Sequence, residues 1–561
     1  MIDGILGSLV GIAVLIGSAH AMAYQPATAD VNPPYNILFV ICDQESYRLF
    51  AKGDYQLPAR EALKRRGVTF HNHYIASAVC TPSRAAFFTG TPPQVNGVFD
   101  HLVYGYVPNL NPKQANIGSV LKGLGYKTAY FGKFELNQTV LRAKRTDNTS
   151  TALQQYSFDV YSPDGDCEGG PYGGIQDDAF IAASSTRWLR EQAPTLRQKK
   201  QPFLMVTSFV NPHDVMFVDC NVPGKPPVQK AIAPRVQAPP PASAFYERKW
   251  TFTFPPSLQE SHKAPGMPPA IGEYDKGWAT VFGSIPTDRK DMWAIYYNYY
   301  LNCIRDNDRH LQQLVDTLTD MDLWQDTVVV LTADHGDMGG AHGGLRGKGP
   351  LCYDANAHVP LVVAHPKCKA GKGCKALTSH LDLLPSFVGL TGLPEASRPE
   401  VVKKLPGRDF SSLLSDPEKA DFHSLRPGIL FNYTQLSTID ADFNLKLWIS
   451  TATGKRVPEL TEVKLDKRGF LSFVFDGRYK LARYHAPNGF NTPKTLDQLL
   501  KNNDVQFFDL QTDPDEMKNF ALEPDKNKDA ILRLNGLLND LMDREVGVND
   551  GRFLPAVVRP K

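Results

Sequence analysis

Cys80-Thr81-Pro82-Ser83-Arg84-Ala85-Ala86-Phe87-Phe88-Thr89-Gly90 is the stretch from which the rest of the chain is best read. Proline is favoured at the first position of a helix, where its missing N–H goes unused, and threonine is a good cap before it. Pro82 with Thr81 therefore predicts a helix opening here, with Arg84 to Phe88 as its first turns. Cys80 would then lie just upstream of a helix N-terminus, where unpaired N–H groups and the helix dipole favour an anion. Arg84, one turn in, adds a planar guanidinium. The combination suits a negatively charged group beside a sulfur atom, although a cysteine before a helix is also, taken alone, a small buried apolar residue or half of a disulfide.

Four apolar runs surround this stretch, and each ends in a polar cluster. Asn36 to Ile41 ends in Cys42-Asp43-Gln44, and Lys127 to Phe131 in Gly132-Lys133. Phe203 to Phe209 leads to Asn211-Pro212-His213-Asp214, and Thr327 to Leu331 to Ala333-Asp334-His335-Gly336-Asp337. Such runs read as strands of a parallel sheet buried on both faces, and open α/β sheets bind ligands at the carboxyl ends of their strands. Helical spacing over Leu57–Arg66, Ile117–Leu124, Asp177–Glu191 and Asp291–Leu323 supplies the covering layers. The fold class predicted is α/β: a large, doubly wound, mostly parallel mixed sheet flanked by helices, with a smaller C-terminal α+β subdomain. Taken singly, Asp43 is also a turn-capping residue, Lys133 a solvated lysine and His213 a loop histidine.

The string C-T-P-S-R followed by T-G resembles the sulfatase signature C-x-P-S-R-x(4)-T-G, and the resemblance extends over about Asn36 to Ala521. In that family a formylglycine-generating enzyme oxidises the cysteine, and the hydrated aldehyde attacks the sulfur of a sulfate ester. The resemblance makes Cys80 the nucleophile's precursor and Arg84 its partner. Lys133 matches the lysine of G-K-W-H, His213 a histidine that contacts the sulfate and leaving group, and Lys348, in Gly347-Lys348-Gly349-Pro350, the second sulfate-binding lysine. Asp43, Gln44, Asp334 and His335, with Cys80, would hold one divalent cation. Ca2+ is the family expectation, and the imidazole leaves Mn2+ or Mg2+ open. Asp43-Gln44 is the form of the choline sulfatase and phosphonate monoester hydrolase branch, and Glu135 stands where the family has a histidine that helps deprotonate the diol. His342 occupies a common family position with either a packing or a catalytic role, while His380 and Asp382 read as structural.

The function implied is hydrolysis of a small-molecule or carbohydrate sulfate monoester to an alcohol and inorganic sulfate. Three other readings stay open. One is a phosphodiesterase or phosphonate monoester hydrolase on the same scaffold. A second is a non-catalytic binder of sulfated glycans in which Cys80 remains a thiol, which Glu135 favours. The third, a cysteine hydrolase, leaves the two acidic strand ends without purpose.

Composition adds bounds. The 561 residues are 42% apolar and 21% charged, and a net charge of +2 gives no reason to expect a nucleic-acid partner. Ile5 to Gly17 followed by Ala19-His20-Ala21-Met22-Ala23 resembles a signal peptide, which predicts export to the periplasm or outside and no membrane insertion of the mature chain, an uncleaved N-terminal anchor being the alternative. The expected organisation is a leader at 1–23, a catalytic domain at 24–405 and a C-terminal part at 406–561. Residues 222–286, proline-rich and without clear periodicity, form an insertion, either a substrate-contacting lid or a surface decoration. Of 8 cysteines, Cys368 and Cys374 are spaced to form a disulfide if the compartment is oxidising.

Overall fold

The computed structural model describes residues 34–560 apart from 51–54, 56, 234–235 and 454–457, so the expected leader lies outside the described residues. Eight strands form the main sheet: β1 (Asn36–Asp43), β2 (Val68–Tyr74), β3 (Lys127–Gly132), β4 (Val160–Ser162), β5 (Phe203–Pro212), β6 (Thr327–Ala333), β7 (Leu361–Ala364) and β8 (Lys372–Ser379). Their order is β4-β3-β5-β1-β6-β7-β2-β8. All neighbours run parallel except β7, which is antiparallel to both β6 and β2.

The period of two along β1 separates two cores. Ile37, Phe39 and Ile41 point to one face, where they meet Phe87, Phe387 and their neighbours. Leu38, Val40 and Cys42 point to the other, against Ile181 and Leu189 of the helix Gly173–Gln198 and Leu311, Leu314 and Leu318 of the helix Lys290–Asp320. Helices thus cover both faces, which is the doubly wound architecture. β1 is buried on each side because it lies centrally, between β5 and β6.

A second, antiparallel sheet follows: β9 (Ile429–Tyr433), β10 (Phe470–Phe475), β11 (Tyr479–His485) and β12 (Asp504–Asp509), in the order β12-β11-β10-β9. Alternation again decides its faces. Phe431, Phe473, Ala482 and Phe508 pack with Tyr74, Tyr353 and Leu377 of the main sheet's layer. Leu430, Val474, Leu481 and Phe507 pack under Ile531, Leu534, Leu538 and Leu541 of the helix Lys528–Glu545.

Two expectations change. Cys368 and Cys374 are not bridged. Cys374 lies on β8 with its side chain in the core, while Cys368 sits in a turn with its thiol donating to the Arg66 carbonyl at 3.4 Å. The insertion is also not wholly irregular. Pro269–Phe282 is a helix, opened by Pro269 in its first turn and closed at Gly283, where φ is +70°. Its buried Ala270, Ile271, Tyr274, Gly277 and Val281 recur at helical spacing, a pattern diluted in the sequence by Gly272 and Gly277.

The packing of β1 yields a prediction. Phe39 is fully buried, 5.8 Å from the Phe87 ring and 4.8 Å from that of Phe387. Phe39→Ala is expected to destabilise the fold by about 3–5 kcal/mol, read from the midpoint of denaturant unfolding.

Candidate active site

Four adjacent strands deliver the polar clusters to one edge. In the order β3, β5, β1, β6 their carboxyl ends carry Lys133, His213, Asp43 and Asp334-His335. The register pairs Cys42 with Ala333, so Asp43 and Asp334 emerge side by side. Gly132 permits the exit of β3: φ is +100°, and a Cβ there would lie 2.0 Å from the Ser208 carbonyl oxygen. Lys133 N–H donates to that same oxygen at 3.0 Å.

Cys80 comes from the opposite direction. Its helix spans Cys80–Thr89 with Val79 as the cap, so Cys80 is the first helical residue and Thr81 does not cap. Pro82 is tolerated at the third position because N–H groups in the first turn have no intrahelical acceptor in any case. The first such bond is Ser83 N–H to Val79 O, at 3.0 Å. Thr81 Oγ1 instead accepts from Leu102 N–H at 3.3 Å.

Every group at the centre is buried. Cys80 Sγ is 3.1 Å from His335 Nε2, and 3.8 Å from both Asp43 Oδ1 and Lys133 Nζ. Arg84 donates to Asp334 Oδ2, the Lys133 carbonyl and Ser208 Oγ, each at 2.9 Å, and to Asp43 Oδ2 at 3.2 Å. Lys133 Nζ contacts Asp43 Oδ2 at 2.7 Å and Glu135 Oε1 at 3.0 Å. The Oδ2 atoms therefore face the cations. The two Oδ1 atoms face His335 Nε2, at 3.6 and 3.7 Å.

Ligand atoms of Asp43, Cys80, Asp334 and His335 all lie within 4.8 Å of one another. Two carboxylate oxygens and an imidazole nitrogen converging on one point fit a divalent cation. Gln44 has a different set of contacts: its Oε1 accepts from Lys348 Nζ at 2.5 Å and its Nε2 donates to Asp337 Oδ2 at 2.6 Å. Asp337 also accepts from Tyr296, Gly339 and Gly347, and so fixes the glycine-rich loop that carries Lys348. Tyr274 of the insertion helix secures that loop from the other side, its hydroxyl donating to the carbonyls of Arg346 and Lys348.

The charges set the titration of the site. Burial would raise Asp43, yet Lys133, His213 and Arg84 hold its carboxyl well below the usual range. Burial and Asp43 push the Cys80 thiol up, but Lys133 and Lys348 prevail and bring it down to about 7. His335 is held above its ordinary value, because Asp334 and Cys80 outweigh burial. His213 is depressed by burial and by Lys348 and Lys133. Its Nδ1 lies buried against Gly169 with no protein partner.

In front of these groups is a cavity of about 260 Å3, bordered by His101, Glu135, His213 and Lys348. Its outer wall combines Tyr104, Phe217 and Trp448 with Trp278 and Phe282 of the insertion helix, so part of the insertion faces the site. All sequence-predicted site residues meet here. His342 is elsewhere engaged, stacked 3.5 Å from Tyr353 and paired with Glu260. His380 and Asp382 serve structure: His380 bonds Ser83 and the Ala333 carbonyl, and Asp382 pairs with Arg426 at 3.0 Å. His101 escaped the sequence reading. It lies in a loop without strand or motif to mark it, yet it forms a cluster with Cys80 and Glu135.

The sulfatase family model matches residues 35–393. The chain belongs to the sulfatase family. As a member it is a sulfuric ester hydrolase, and the fold and signature expected from the resemblance agree with this. Arylsulfatase K of Gallus gallus is 23% identical over 541 residues, covering 93% of this chain and 85% of the relative. The solved structure of a 2-O GAG sulfatase superposes with a TM-score of 0.62 at 19% identity, covering 91% of this chain and 92% of that one. The phosphonate monoester hydrolase of Agrobacterium radiobacter has a TM-score of 0.61 at 18% identity, covering 91% and 96%. No helix among the described residues is long and apolar enough to cross a membrane.

The lysines around Cys80 yield a prediction for this sulfatase in its unmodified, metal-free form. The thiolate ultraviolet absorbance, taken as a difference against Cys80→Ser, should rise with a midpoint near pH 7. A free cysteine would give about 8.5.

Proposed function

We propose that the chain hydrolyses a sulfate monoester with the hydrate of a formylglycine, made from Cys80 by a formylglycine-generating enzyme, as nucleophile. The observation that carries this reading is the position of Cys80 Sγ. It lies 3.1 Å from His335 and 3.8 Å from both Asp43 and Lys133, at the meeting point of the cation-binding groups and the sulfate-binding lysine. A hydrate oxygen in place of that sulfur would face the cavity with negative charge favoured around it.

Asp43, Gln44, Asp334, His335 and an oxygen on residue 80 would hold the cation, Ca2+ by family expectation with Mn2+ or Mg2+ as alternatives. When bound, the ion supplies positive charge that acidifies a hydroxyl and steadies anionic oxygens. The side chains account for the rest. Arg84 sets the two aspartates and the turn at Lys133. Lys133 and Lys348 grip the sulfate oxygens, a role suited to point charges. His213 donates the proton to the departing alcohol. A sulfate between the two lysines offsets the charges that depress His213, so the substrate itself makes this histidine a better proton carrier.

The alcohol part of the ester would lie against Tyr104, Phe217, Trp278, Phe282 and Trp448, a surface suited to flat rings, aryl or pyranose. The resemblance to a 2-O GAG sulfatase supports testing carbohydrate sulfates beside aryl sulfates. Cleavage of phosphonate monoesters is the second reading, favoured by Gln44 and His335 at the metal motifs. The relative rates on matched aryl sulfate and phosphonate esters separate the two. Export to the periplasm or outside accompanies the proposal, on the strength of the leader-like residues 1–23.

Two results test the reading. The peptide containing Cys80 should be lighter by about 18 Da than its thiol form. Lys133→Ala should lower kcat/KM for sulfate release by about 100-fold or more. Full activity from a protein whose Cys80 remains a thiol would refute it.

A further inference from the structure

The reaction just proposed needs a base for its second half, and Glu135 stands where the family has a histidine that helps deprotonate the diol. One carboxylate oxygen of Glu135, a ring nitrogen of His101 and Cys80 Sγ lie within 4.8 Å of one another. Glu135 Oε1 is occupied by Lys133 at 3.0 Å, whereas Oε2 is buried with no partner. An unpaired buried carboxylate oxygen is costly to keep. The backbone is also strained here: Glu135 has φ +53°, unusual for a residue with a side chain. Asp166 fixes that conformation by accepting from the N–H groups of Phe134 at 2.9 Å and Glu135 at 2.7 Å. A strained backbone and an unsatisfied oxygen, on a carboxylate clustered with Cys80, mark a site shaped for something other than stability.

His101 is the other candidate for the base, and its hydrogen bonding argues against it. Its Nδ1 accepts from Val103 N–H at 3.3 Å, so in the neutral ring the proton lies on Nε2. A nitrogen that already carries a proton cannot take another. It can donate a hydrogen bond to an oxygen on residue 80.

Resting on the formylglycine reading, we propose that Glu135 is the catalytic base of sulfate release and that His101 donates a hydrogen bond to the same hydroxyl oxygen. After the alcohol has left, Cβ of residue 80 carries one hydroxyl and one sulfate ester. The hydroxyl proton passes to Glu135 Oε2. The freed O–H pair becomes the second C–O bond of the aldehyde, and the Cβ–O bond to sulfate breaks with its electrons leaving on the sulfate oxygen. Charge that gathers on the hydroxyl oxygen meets the His101 N–H. Water then adds to the aldehyde to restore the hydrate, and Glu135 gives its proton to solvent, the one proton that hydrolysis of the ester releases overall. Lys133 pairs with Oε1 at 3.0 Å and leaves Oε2 to take the proton.

The experiment mixes formylglycine-containing Glu135→Gln with a chromogenic aryl sulfate and quenches over time. It should release about one equivalent of phenol and then stall, with steady turnover down by about 100-fold or more. Under those conditions the peptide of residue 80 should carry the added mass of one SO3 group, which wild type does not accumulate. Wild-type turnover in Glu135→Gln overturns the proposal. So does loss of the first phenol equivalent with residue 80 still converted, since Glu135 would then act before release. Should Glu135→Gln fail to fold, Glu135→Asp replaces it; a slowed release with an intact burst supports the assignment, and unchanged release overturns it. For His101, the Asn variant, which keeps an N–H donor, should retain more of the release rate than Ala, and equal rates would remove its role. A wild-type protein with residue 80 converted and no sulfate released would instead overturn the parent reading, so the two failures are distinct.

Discussion

Asp43 and Asp334 stand side by side at the ends of neighbouring parallel strands, both withdrawn from water. Each buried charge costs several kcal/mol unless it is paired and hydrogen-bonded. Arg84 and Lys133 meet that need on the Oδ2 side, and the Oδ1 side is left facing His335 and Cys80. This arrangement dictates much of the surrounding fold. Arg84 can reach both aspartates only because its helix starts at Cys80, and Lys133 turns inward only because Gly132 lets the chain pass Ser208 closely. A second buried pairing supports β1 from behind, where Arg60 bonds Glu45 and Asp308.

The cavity is assembled from parts far apart in the chain. The strand ends make its floor. Its walls come from the insertion helix Pro269–Phe282, the loop holding His101 and Tyr104, and the helix Ala441–Thr453 that follows β9. Tyr274 links wall to floor through its bonds to the Lys348 loop. In the function proposed, placement of the leaving group and grip on the sulfate would be mechanically joined, because Tyr274 of the insertion helix bonds the backbone that presents Lys348.

Where the sequence carried a local physical rule, structure could be read from it. Apolar runs ending in acidic or basic residues marked β1, β3, β5 and β6 and the groups at their ends. Spacing over Asp291–Leu323 marked the long helix observed at Lys290–Asp320. Where long-range geometry decided, it could not. His101 reaches Cys80 through a loop whose path depends on contacts of Asp100 with Ser437, in the C-terminal part of the chain. Cys374 followed its strand into the core rather than the nearest cysteine. Thr81 lost the capping role to Val79 because the bend before the helix, not side-chain preference, set where the turn began.

The central claim is that Asp43, Asp334 and His335 converge on a divalent cation in contact with residue 80. An anomalous difference map from a crystal of the formylglycine form soaked in Mn2+ tests it most directly. A single peak bounded by those three side chains, Gln44 and an oxygen on residue 80 is the predicted result. A fully soaked crystal with no peak there, and with Arg84 and Lys133 still bonded to the two aspartates, would contradict it.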